Sequence, residues 1–187
     1  MADDSKFPTE IIELPSKGYF YPKENPLSSG KVEMRYMTAR EEDILTSPNL
    51  LKQGLVIDKL LESLVVDKQI NLNDLLMGDK NSLILAARIL GYGKEYEFTF
   101  PTDDGEDIKG TVDLTTLKER EVDFSKFTKG VNEFSFTLPA SQRVITFKLI
   151  TQKEEKEIDK ELVALKKISK GINFEMTTRM KKIILSV

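Results

Sequence analysis

The sequence predicts an α+β protein: a helical N-terminal half with an extended N-terminal strap, then antiparallel β-hairpins and a long C-terminal helix. Three observations carry that prediction. Apolar residues recur at spacings of three and four in residues 49–66 and again in residues 151–170, the period of an amphipathic helix. They alternate with polar residues in residues 31–38, 95–101, 133–138 and 143–150, the period of a half-buried strand. In the second half the alternating segments come in pairs around short turns, which makes hairpins.

The strap comes first. Pro15 and Pro22 exclude a helix from the first segment, because proline lacks the N–H and clashes with the preceding turn. Ser16 to Gly18 read as a turn between two extended pieces, and residues 23–30 as a loop. In residues 31–38, Val32, Met34 and Tyr36 share one face. Thr38 and Glu41 then form a capping box that opens a short helix, and Pro48 ends it. Residues 49–66 form an amphipathic helix that Gly54 divides. After a polar link, Asn73 or Asp74 starts a short helical turn ending at Gly78. Asp79 caps the next helix, and Gly91 with Gly93 ends it.

Tyr96, Phe98 and Phe100 lie on one face of the following strand. Thr102 to Asp107 form a turn and Ile108 to Leu114 the return strand. Residues 118–129 are charged and irregular, with Phe124 and Phe127 as anchors. A second hairpin turns at Pro139-Ala140-Ser141. In the helix of residues 151–170, Ile158, Leu162, Leu165 and Ile168 form a stripe, and Gly171 stops it. Residues 176–187 are a further helix or strand. The apolar ending Ile183-Ile184-Leu185-Ser186-Val187 suggests a longer natural chain or a tail that needs a partner. Domain organisation is read as residues 1–94 and 95–187, compatible with one continuous domain.

Composition narrows the function classes. The 187 residues include no cysteine, histidine or tryptophan, so there is neither a disulfide nor the thiolate and imidazole ligands of structural zinc. Lys and Arg number 28 against 31 Asp and Glu, a net charge of −3 that gives no general attraction to nucleic acid or anionic lipid. No apolar stretch nears the roughly 20 residues of a membrane-spanning helix. The polar N-terminus does not read as a secretory signal. These features predict a cytosolic protein.

Motifs of chemistry fail on spacing. Asp103, Asp104, Glu106 and Asp107 resemble a calcium loop, but Ile108 stands where the required glycine would be. Gly91-Tyr92-Gly93-Lys94 lacks both the glycine spacing and the hydroxyl residue of a phosphate loop. A nucleophilic serine would have no histidine to activate it. A hydrolase using two carboxylates stays open as a competing class. The sequence therefore predicts a non-enzymatic protein without cofactor or metal. Tyr19 and Tyr21 are candidate partner contacts because aromatic residues concentrate in binding hot spots. Leu162 and Leu165 are candidates if their stripe meets a partner helix. Burial of the same residues within the protein is the competing reading for both pairs.

An ordered set of segments in the N-terminal half resembles a known family. It runs Leu14-Pro15-Ser16-Lys17-Gly18-Tyr19-Phe20-Tyr21-Pro22, then Met37-Thr38, then Glu42-Asp43-Ile44-Leu45-Thr46-Ser47-Pro48. Gly54, Leu75-Leu76-Met77-Gly78-Asp79, Arg88 and Tyr92-Gly93 follow. This set is similar to the baseplate hub and hub assembly proteins of T-even-type contractile-tailed phages, over roughly residues 11–100. The resemblance implies a hub assembly chaperone in the host cytoplasm that binds hub subunits or the tape measure and has scope to oligomerise. The alternative it implies is a permanent hub subunit, located in the virion baseplate. Related proteins carry paired cysteines just after the segment matching residues 96–100. Pro101-Thr102-Asp103-Asp104-Gly105 stands there instead, so no metal role carries over.

Overall fold

The computed structural model describes residues 7–102, 107–168 and 173–187 and has the α+β architecture predicted. The sequence-predicted turn at residues 102–107 falls mostly outside the described residues, as does the stop at Gly171. The chain forms two compact units, each built from three separate stretches of sequence. The first holds Met1–Pro15, Lys31–Lys68 and Asn81–Asp123; the second holds Ser16–Gly30, Gln69–Lys80 and Phe124–Val187. The junction at residues 94 and 95 lies inside the first unit.

In the first unit, β1 (Thr9–Glu13) pairs antiparallel with β2 (Lys31–Arg35), with Ile12 opposite Val32. Alternation on β2 sends Val32 and Met34 into the core. Helix α1 (Ala39–Leu45) starts at the predicted capping box: the Thr38 side chain accepts a helix N–H while Glu41 reaches back to the Thr38 N–H. α2 (Pro48–Gln53) begins on Pro48, whose missing N–H costs nothing at a first helical position. Gly54 at φ 68° ends it, and α3 (Val56–Leu64) follows. The three- and four-residue spacing puts Val56, Leu60, Leu61 and Leu64 on its buried face. β3 (Glu95–Pro101) and β4 (Asp107–Asp113) close the unit as an antiparallel hairpin.

Glu41 also anchors a buried polar cluster. Arg35 approaches it at 3.2 Å, Ser63 donates at 2.5 Å, and the Thr38 hydroxyl donates at 2.7 Å. Burial alone pushes the Glu41 carboxyl up. The hydrogen bonds from Ser63 and Thr38, with the Arg35 charge, outweigh it and hold the group below its ordinary value of 4.5. A depressed carboxylate stabilises the fold above its unfolded value, and that stabilisation fades as pH falls through the folded value. Glu41→Gln is expected to cost about 2 kcal/mol at pH 7. The gap to the parent should narrow below pH 4.5, read by urea titration at a series of pH values. A gap independent of pH would refute this role.

In the second unit, residues 16–20 form successive turns, and a 3-10 turn follows at Pro26–Ser29, capped by Asn25. No strand follows the Ser16 turn, contrary to the second extended piece predicted there. β5 (Phe134–Thr137) and β6 (Val144–Phe147) form the second hairpin. α5 (Gln152–Ile168) packs on α6 (Glu175–Ile183), helped by Arg179 donating to Glu155 at 2.6 and 2.7 Å. The chain ends as β7 (Ile184–Ser186), added to β6. The C-terminal segment is thus helix and then strand.

Helix α4 (Met77–Tyr92) corrects the sequence reading at its start. Gly78 lies inside it instead of ending a preceding turn, and Asp79 occupies its first turn instead of the cap. Its opening donors are satisfied from far away in sequence. The Leu76 N–H donates to the Tyr21 hydroxyl at 2.9 Å and the Met77 N–H to the Ile150 carbonyl at 3.2 Å. Asp79 is thereby released from local capping.

Candidate protein-binding surface

The four residues singled out in sequence sit in different surroundings. Tyr21 is buried, and its hydroxyl donates to Asp79 at 2.5 Å. Burial first, and then the neighbouring Asp79 carboxylate, push that hydroxyl far above its ordinary range, so it stays a donor. Tyr21 therefore presents no face to a partner. Tyr19 is half-buried; its hydroxyl donates to the Phe127 carbonyl at 3.0 Å, and its own carbonyl accepts from the Gly130 N–H at 2.8 Å. Its ring lies 5.1 Å from Phe124 and 5.7 Å from Phe20. Phe20 in turn meets Phe127 and Phe134 edge-on at 5.7 and 5.2 Å. These edge-on contacts are favoured by the ring quadrupoles. The strap aromatics hold the second unit together.

Leu162 and Leu165 are both half-buried on α5. Their stripe changes character along the helix. Ile158 is fully buried, whereas Ile168 is 80% exposed. The first half of α5 packs within its unit, and the last turn faces solvent.

An open apolar surface lies elsewhere, on the β3–β4 hairpin. Directly opposed residues of an antiparallel pair share a face. Tyr96 faces Val112, Phe98 faces Gly110 and Phe100 faces Ile108, giving one continuous apolar face. Glu97, Thr99, Lys109 and Thr111 occupy the other. The apolar side is open: Tyr96 is 44% exposed, Phe98 42%, Phe100 64% and Ile108 57%. An open hollow of about 490 Å³ belongs mainly to the polar side: Glu97, Thr99, Lys109 and Thr111 line it, with Phe98 and Gly110 between them.

Local contacts brace this face. The Phe98 ring lies against Gly110 so closely that a Cβ there would come 2.5 Å from its tip. A glycine in mid-strand thus leaves room for an aromatic plate across the ladder. At the open end of the hairpin, Lys94 pairs with Asp113 at 2.8 Å. The Arg88 guanidinium lies 4.9 Å from the Tyr92 ring and 5.7 Å from the Tyr96 ring, in cation–π range of both. It also donates to the carbonyls of Gly93 and Glu95. Gly91, predicted to help end the helix, lies inside α4; Gly93 at φ 82° follows its last residue, and Arg88 in the last turns of α4 braces the hairpin.

Sequence alternation identified the apolar face of β3 and placed β4 as its return strand. It did not show that the ladder would have only two strands, which leaves that face without a covering layer. Among the described residues, no group of three or more carboxylates is placed to hold a metal ion, and no helix is long and apolar enough to cross a membrane. Compared with protein-family profiles, curated protein sequences and solved structures, the chain has no match.

Proposed function

We propose that this chain is a protein-binding assembly factor of a contractile phage tail, a chaperone in the host cytoplasm that holds hub or tape-measure subunits while the baseplate hub is built. The observation that carries a binding role is the open aromatic face of the β3–β4 hairpin. A sheet face rich in aromatic residues is normally buried against a second layer, and contiguous exposed apolar patches of this kind mark interaction sites. The assignment to phage tails draws on the ordered segments between Leu14 and Gly93.

The test is a pull-down from infected cells beside mass spectrometry of purified tails. Hub or tape-measure subunits in the pull-down, with the chain absent from tails, support the chaperone. Fixed stoichiometry in tails would make it a permanent hub subunit instead. The double variant Phe100→Ser with Ile108→Ser separates surface from fold. Both side chains are more than half exposed, so stability should hardly change. Capture of tail proteins should fall at least tenfold, about 1.4 kcal/mol. Undiminished capture would remove the hairpin face from the proposal.

A further inference from the structure

We infer that the C-terminal arm, α6 with β7, is a latch that ion pairs to α5 hold shut, and that it opens as a unit to free the edge of β6 that β7 covers. The latch lies within the second unit and shares no residue with the β3–β4 hairpin.

The arm buries little of itself. Of residues 173–187, Thr178 alone is fully buried. Phe174, Ile183 and Ile184 are half-buried, while Met176, Met180, Leu185 and Val187 are exposed. The N-terminal strap is built in the opposite way, with Leu14, Phe20, Tyr21 and Leu27 all buried. Apolar burial is the main favourable contribution to folding, and the arm draws far less on it than the strap does.

Its strand pairing is also short. β7 meets β6 at two positions, Thr146 with Ser186 and Phe147 with Ile184, with a register shift between them. β5 holds the other edge of β6 at four positions in regular register. A further backbone bond joins the arm to the chain beyond β6: the Lys148 N–H donates to the Ile183 carbonyl at 3.0 Å.

Charge supplies what burial does not. The Arg179 guanidinium donates to both carboxylate oxygens of Glu155, at 2.6 and 2.7 Å, the two-pronged geometry that makes such pairs strong. Three residues on, Lys182 meets Glu157 at 2.7 Å. Glu161 and Glu154 of α5 add their negative charge near Lys182. Within α6, Glu175 shares Arg179 at 3.2 Å. All of these contacts lie on one face of α5, so breaking them releases α6 as a piece. A segment with little burial and a few specific contacts opens below the free energy of global unfolding. Because β7 follows α6 directly, it leaves with it, and an unpaired strand edge is a template for another strand.

Amide hydrogen exchange of the full chain, read residue by residue by NMR, tests the latch. The Lys148 amide reports on it, because its acceptor belongs to the arm. The Gly130 amide is the control, since it lies in the same unit and donates to the Tyr19 carbonyl of the strap. In the double variant Arg179→Gln with Lys182→Gln, exchange at Lys148 is expected to run at least about tenfold faster, with Gly130 unchanged. Arg179→Glu alone should speed Lys148 as well, and adding Glu155→Arg to it should slow exchange back toward the parent rate. Equal acceleration at Gly130 would mean that the arm opens only with its whole unit. Unchanged exchange at Lys148 would mean that the ion pairs do not hold the arm. Failure of Glu155→Arg to reverse the effect of Arg179→Glu would show that shape, and not charge, fixes position 179. Any of these three results overturns the inference.

Discussion

Asp79→Ala is expected to lower the melting temperature by about 10 °C, the largest effect of any side-chain truncation considered. Asp79 is almost completely buried. It accepts from the Ser16 N–H at 2.9 Å, the Ser16 hydroxyl at 2.7 Å and the Tyr21 hydroxyl at 2.5 Å. These donors come from 58 to 63 residues earlier in the chain, so one carboxyl fastens the strap to the start of α4. Alanine strands three buried donors at once. Each hydrogen bond to a charged group contributes about 1.5–3 kcal/mol, and because the three share one acceptor we expect a loss of about 4 kcal/mol in total. For a chain of this size, each kcal/mol shifts the midpoint by about 2–4 °C. Tyr21→Phe should cost less, about 1–2 kcal/mol, because it removes one donor and strands only the Leu76 N–H. Thermal unfolding followed by circular dichroism reads both. An Asp79→Ala loss below 1 kcal/mol would show that the cluster does not hold the strap.

Gly18→Ala should be nearly as damaging, for a different reason. Gly18 has φ 71°, where an L side chain costs roughly 1–2 kcal/mol. Its surroundings add more. A Cβ at Gly18 would lie 2.5 Å from both the Gly30 nitrogen and the Ser28 carbonyl oxygen. Those are backbone atoms, which cannot swing aside as a side-chain tip can. The contact is reciprocal, since a Cβ at Gly30 would meet the Lys17 carbonyl at 2.6 Å. The two glycines lie against each other where the strap crosses the end of the 3-10 turn. A loss of about 3–4 kcal/mol is expected for Gly18→Ala, from the left-handed penalty plus the backbone displacement. Gly54→Ala is the internal control. Gly54 has nearly the same φ, 68°, but nothing within 4 Å of the position its Cβ would take. It should lose only about 1 kcal/mol. Equal losses at the two positions would mean that conformation alone, and not the close approach, requires glycine at position 18.

Much of this fold is legible locally. The capping box at Thr38 and Glu41, the helix break at Gly54 and the alternation that builds both hairpins depend on neighbours within a few residues. Backbone sterics, hydrogen-bond spacing and side-chain period specify such features from residues close in sequence. The start of α4 was not legible in this way. Asp79 has the sequence character of a cap, but Tyr21 and Ile150 satisfy the opening donors of that helix, and Asp79 serves Ser16 and Tyr21 instead. A capping preference worth about 1 kcal/mol is outweighed once several buried donors converge on the same carboxyl.

The same division runs through the candidate contacts. Tyr19 and Tyr21 have the composition of an exposed hot spot, yet Phe124, Phe127 and Asp79 enclose them. Tyr96, Phe98 and Phe100 look by alternation like core residues and are open to solvent. Period states which side chains share a face. Whether a face is covered depends on how many layers the chain supplies, and that is a non-local property. By itself the sequence determined the α+β class, the approximate positions of most helices and of both hairpins, and the segregation of apolar from polar faces. Only the tertiary structure decided which of those faces is core and which is surface, because burial depends on contacts between residues far apart in the chain.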